Sequence, residues 1–125
     1  MRIPNDDRPT FDLGPVSFLG GAAPSRGSST TSLWTLTIGP GITDGLPHRL
    51  DHEEVFLVVD GEPMLTLADV AHRCGPGDVV IVPPGTPLTL TNPGSAAATL
   101  VASIPSGFRA TAEDGTEIGT PPWAT

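Results

Sequence analysis

Lysine is absent from the chain, and six arginines face fourteen aspartates and glutamates. At a formal charge of −8 the chain is a poor match for nucleic acid or an anionic membrane surface. Binding to phosphates rests on cationic side chains that release counterions. Cysteine occurs once, at Cys74, which excludes an intramolecular disulfide framework and any CxxC metal or redox motif. No apolar run approaches the roughly 18 residues of a membrane-spanning helix. The opening Met1-Arg2-Ile3-Pro4-Asn5-Asp6-Asp7 lacks the apolar stretch of a secretory leader, so a cytoplasmic location is expected. Helical periodicity is nearly absent too.

What the chain does have is punctuation. Glycine and proline supply 15 residues each of 125, and between them stand short, β-branched apolar runs. Such runs bury a core, so the chain reads as folded and turn-rich rather than disordered. Ser32 to Ile38 sets Trp34, Leu36 and Ile38 against Leu33, Thr35 and Thr37, a period of two with one apolar face. Further strands are expected at residues 10–19, 54–59, 63–67, 70–74, 79–82, 87–91 and 96–104. Asp60-Gly61 is read as a hairpin turn that returns Pro63 to Leu67 beside the strand before it. Strands at such spacing, with turns between, mean an all-β sandwich or barrel. A single domain, 1–125, is expected, with a core over 32–104. An N-terminal strand and loop fill 1–31, and a tail with isolated Phe108, Ile118 and Trp123 fills 105–125.

Two segments carry a family pattern. The first, Pro47 to Glu62, holds His48, Glu54 and, after six intervening residues, Gly61. The second has Gly77, five residues, Pro83-Pro84-Gly85, and then Asn92. Together they resemble the two motifs of the cupin family, which implies a small cupin-like jelly-roll β-barrel. The resemblance also implies where a metal would sit in metal-binding members: two histidines and a glutamate from the first motif, one histidine from the second. Here His48 and Glu54 keep two of those places, while Leu50 and Leu88 occupy the other two.

Leucine has no lone pair to offer, and one imidazole with one carboxylate falls short of the three protein ligands of an open catalytic metal site. No metal or other cofactor is therefore expected; were one bound, its ligands would be His48, Glu54 and a rescuing His52. His52 is better read as an exposed turn residue beside Asp51 and Glu53. The leucines turn a polar pocket partly apolar, with Trp34, Leu36, Leu50, Phe56, Val58, Leu88 and Leu90 as its expected walls. A carboxylate facing such walls is costly unless paired or protonated. Glu54 is thus either a general acid or base with a raised pKa or half of a structural pair with Arg49 or His48.

The function expected from this pattern is metal-independent binding of a small, largely apolar metabolite. Acid/base chemistry at His48 and Glu54 would suit isomerisation, dehydration or cyclisation. Two other readings stay open: a metal-dependent cupin enzyme with an unusual ligand set, and a non-catalytic sensor or structural dimer whose interior is packed. A homodimer is expected from exposed edge strands in a small acidic domain.

Overall fold

The computed structural model describes all 125 residues. Twelve strands, numbered in chain order, form two antiparallel six-stranded sheets. The first contains, in spatial order, β1 (Thr10–Leu13), β2 (Val16–Gly20), β3 (Thr31–Ile38), β10 (Ala98–Pro105), β5 (Glu54–Asp60) and β8 (Val79–Val82). The second contains β12 (Glu117–Gly119), β11 (Ala110–Ala112), β4 (His48–Leu50), β9 (Leu88–Thr91), β6 (Met64–Leu67) and β7 (Val70–Arg73). Helix is confined to three single 3-10 turns, and no helix is long and apolar enough to cross a membrane. This is the jelly roll expected, although the two sheets are not closed by strand pairing into a barrel. The edge strands β1 and β8, and β12 and β7, each pair on one side only.

The period-two pattern explains the central pair. All eight residues of β3 pair with β10, from Thr31↔Pro105 to Ile38↔Ala98. Along β3, Ser32, Trp34, Leu36 and Ile38 are buried, and along β10, Ala98, Leu100, Ala102 and Ile104 are. Large residues on one strand meet small ones on the next: Trp34 and Phe56 both lie opposite Ala102. That alternation lets bulky side chains project into the space between the sheets.

Three sequence expectations are corrected. Asp60-Gly61 is no hairpin: β5 pairs with β10 and β8, whereas β6 lies in the other sheet. Gly61, at φ +80°, sits so close to Ala97 and Ala98 that an added Cβ would lie 2.6 Å from the Ala97 carbonyl oxygen. Tight contact with β10 steers the chain across the sandwich instead of back along its own sheet. Residues 10–19 are a hairpin and not one strand; Gly14-Pro15 turns the chain and Leu13 pairs with Val16. The tail contributes two short strands, because β11 finds an open edge on β4, with Ala110↔Leu50 and Ala112↔His48 in register.

Asn92, which closes the second motif, is fully buried and ties the layers together. Its side-chain amide donates to the carbonyls of Ile38, Gly39 and Ala96 at 3.0, 3.1 and 2.8 Å, and its oxygen accepts from the Gly94 N–H. The end of β9 is thereby fastened to the end of β3.

Candidate functional site

The space between the sheets divides into two halves. One holds the buried core residues Val58, Leu65, Cys74, Val82, Leu88 and Leu100, none of which lines the cavity. The other is a cavity of about 860 Å³. A packed interior is therefore not what the leucine substitutions produce.

Most of the expected wall residues line this cavity: Trp34 and Leu36 from β3, Leu50 from β4, Phe56 from β5 and Leu90 from β9. Val58 and Leu88 do not, and the expectation for them is corrected. Val58 lies four residues beyond Glu54, roughly 13 Å along an extended strand, which carries it into the packed half. Leu88 faces His48 and Leu67 in the strand register and is buried among the core side chains. Further walls come from outside the two motifs. Phe18 on β2, Phe108, and Pro121 and Trp123 of the tail all face the same space. Phe18 and Trp123 stack with ring centroids 3.7 Å apart and planes 4° from parallel; Trp34 and Phe108 stack more loosely at 6.0 Å. The isolated aromatics Phe108 and Trp123 were the one sequence signal that the tail returns to the core. Neither their partners nor their side of the fold could be read from spacing.

His48 and Glu54 also line the cavity, and from opposite layers: β4 belongs to one sheet and β5 to the other. Glu54 is 3% exposed, and its carboxyl makes no hydrogen bond or ion pair in the protein, so neither Arg49 nor His48 is its partner. Its Oε1 is sealed off entirely. Burial without compensation pushes its pKa from 4.5 up to about 8. Burial also lowers the His48 pKa, opposed by a hydrogen bond from its Nδ1 to the Leu46 carbonyl oxygen at 3.3 Å. Since the carbonyl only accepts, Nδ1 carries the proton and Nε2 of the neutral ring keeps its lone pair. At neutral pH the site holds a protonated acid on one wall and an unprotonated base on the other. Environments that push two pKa values apart in this way separate acid and base roles.

The donor set does not fit a metal. Leu50 and Leu88 are buried at two of the four family ligand places, and no three His, Cys, Asp or Glu side chains come together to hold an ion. His52 lies on the exposed turn, its Nδ1 2.7 Å from Asp51 Oδ1, and His72 is exposed on β7.

The fold recurs in solved structures of low sequence identity. The polyketide cyclase RemF from Streptomyces resistomycificus superposes with a TM-score of 0.75 at 16% identity, over 98% of this chain and 87% of that one. A sugar phosphate isomerase from a cupin superfamily, from Silicibacter pomeroyi, gives 0.71 at 20% identity, over 91% and 82%. The 7S globulin of Momordica charantia gives 0.72 at 22% identity, over 90% of this chain and 38% of that one. No curated protein matches the chain in sequence. The sequence profile described as Cupin domain matches residues 34–104, more than half of the chain and both motifs, and the chain belongs to that family.

Proposed function

We propose that this cupin binds a small, largely apolar molecule between its sheets and moves protons on it without a metal. One observation carries the reading: an unpaired, buried glutamic acid on the wall of an open apolar cavity. Keeping such a group costs stability, and active sites are where strongly shifted acids concentrate. Glu54 delivers its proton to a ligand carbonyl oxygen while His48 Nε2 accepts one from the adjacent carbon, giving an enol. Return of the proton from His48 to a different carbon of the conjugated enol, as the enol hydroxyl gives its proton back to Glu54, yields an isomer. Attack of the enol carbon on a second carbonyl in the same molecule closes a ring, the enol hydroxyl losing its proton and the new alkoxide taking one up. Loss of a second proton from that carbon to His48, with proton delivery from Glu54 to the new hydroxyl, then releases water and leaves a carbon–carbon double bond. Isomerisation, cyclisation and dehydration all need proton transfer and shape alone. The name of one structural neighbour, a polyketide cyclase, agrees with this class.

The direct test is hydrogen–deuterium exchange at the methyl group of 2-acetonaphthone in D₂O, followed by NMR. The protein accelerates this enolisation, and Glu54→Gln and His48→Ala each lose about 10²-fold of the acceleration. Variants that match wild type would remove both residues from the site.

The protein is also proposed to act as a homodimer. The support is the outer face at the sheet edge, where Val79 and Ile81 of β8 are 59% and 56% exposed beside Leu57 and Val59 of β5. β8 itself pairs on one side only.

A further inference from the structure

The cavity wall contains no arginine, and the chain has no lysine. Four of the six arginines are engaged elsewhere. Arg73 pairs with Glu62 and Arg109 with Glu117 on the surface. Arg8 donates to the Gly20 and Leu19 carbonyls, and Arg26 to those of Gly21 and Trp123. Neither Arg2 nor Arg49 reaches the cavity. In contrast, four carboxyl groups line it: Glu54 within, and the exposed Asp44, Glu113 and Asp114 from the loop before β4 and the turn after β11. Asp114 is held in its turn by the Thr116 N–H at 2.9 Å.

Each chemical class of ligand meets this wall differently. A phosphate or carboxylate would pass three acidic side chains and then find no cation to pair with in an apolar interior. Like charges in proximity and unpaired buried charges both cost binding energy. An uncharged molecule avoids both. The two stacked aromatic pairs, Phe18–Trp123 and Trp34–Phe108, offer it flat walls already in place.

We propose that the cavity selects by charge: Asp44, Glu113 and Asp114 form a rim that turns anions away, and the ligand is an uncharged, flat aromatic molecule. This rests on the cavity being the binding site proposed above, and it sets this protein apart from a neighbour named for a sugar phosphate. It deepens that reading by naming the substrate class.

The chain provides its own reporter. It has two tryptophans and no tyrosine, and both tryptophans, Trp34 and Trp123, line the cavity. Quenching of intrinsic fluorescence, corrected for absorption, therefore reads this cavity. Wild type and the variant carrying Asp44→Asn, Glu113→Gln and Asp114→Asn together are titrated at low salt with 2-naphthol and with 2-naphthyl phosphate. The neutral amides keep hydrogen-bonding capacity in the turn, and a thermal melt checks that the variant is folded. In wild type, 2-naphthol quenches saturably and the phosphate binds at least ~10-fold more weakly, a difference of about 1.4 kcal/mol. The variant narrows that gap, and so does raised salt, which screens exposed charge. Equal affinity for both compounds in wild type overturns the charge selection and leaves the cavity as a binding site. A gap unchanged in the variant overturns the role of the rim. Failure of 2-naphthol to quench overturns both the selection and the underlying binding site.

Discussion

Glu54 shows how one side chain sets a property of the whole protein. Its carboxyl is buried without a partner, and its pKa rises from 4.5 to about 8. Between those values the folded protein holds a proton that the unfolded chain has released. Glu54 therefore contributes a loss of stability as pH climbs through that window, on the order of 5 kcal/mol across it. His48 works in the opposite direction below its ordinary pKa of 6.5, because its lowered value means that folding disfavours the charged ring. The melting temperature of wild type should thus fall between about pH 6.5 and 8, and Glu54→Gln should abolish that fall and be the more stable protein at pH 8. A variant with the same downward slope as wild type would show that another group titrates. The proposed proton transfer uses the same two groups: kcat/KM for enolisation should decline on the acid side as His48 protonates and again near pH 8 as Glu54 ionises.

At the scale of an element, turn glycines with similar torsions differ in what surrounds them. Gly61 and Gly77 have φ of +80° and +90°, both unfavourable for a residue with a Cβ. Around Gly77 nothing lies within 4 Å of an added Cβ, whereas at Gly61 the backbone of Ala97 and Ala98 is already in the way. Gly77→Ala should cost about 1 kcal/mol and Gly61→Ala about 3 kcal/mol or more, measured as the shift in urea midpoint. Similar costs at the two sites would mean that the crossover from β5 to β6 does not depend on that close approach. The tail is the other element whose role depends on contact. Arg26 donates to the Trp123 carbonyl at 2.6 Å, which holds the indole against Phe18 and completes the cavity wall. Trp123→Ala removes a stacked pair and a wall at once. It should lower stability by about 3 kcal/mol in urea unfolding and weaken 2-naphthol binding.

For the whole molecule, the relevant feature is the uneven use of its surface. One sheet presents its inner face to the cavity and packed core, while its outer face at β5 and β8 leaves valine, leucine and isoleucine in water. In wild type, light scattering should give twice the 12.8 kDa mass of one chain. Val79→Asp combined with Ile81→Asp should return it to one chain mass with an unchanged circular dichroism spectrum, because both side chains are exposed in the single chain. A wild-type monomer would refute the dimer.

The division between sequence and tertiary structure follows from what each physical signal requires. Alternation of Trp34, Leu36 and Ile38 fixes a strand and its buried face locally, because side-chain direction in an extended chain has period two. The glycine and proline spacing places the turns, and Leu50 and Leu88 at ligand positions announce an incomplete donor set before any coordinates exist. Both residue types in the acid/base pair are legible in the same motif. Their placement on opposite sheets is not, since positions 48, 50, 52 and 54 share parity whether the chain runs on as one strand or crosses to the other sheet at Asp51-His52-Glu53. Val58 and Leu88 share strand parity with cavity residues, yet parity says nothing about how far along the fold the open space extends. Phe18 is separated from Phe108 and Trp123 by most of the chain, and the three line one cavity only because β2 and both ends of the tail converge on it. The sequence determined most of the strands and turns and the chemistry available; the packing of two sheets and a returning tail decided where a cavity remains, because empty volume belongs to no single residue.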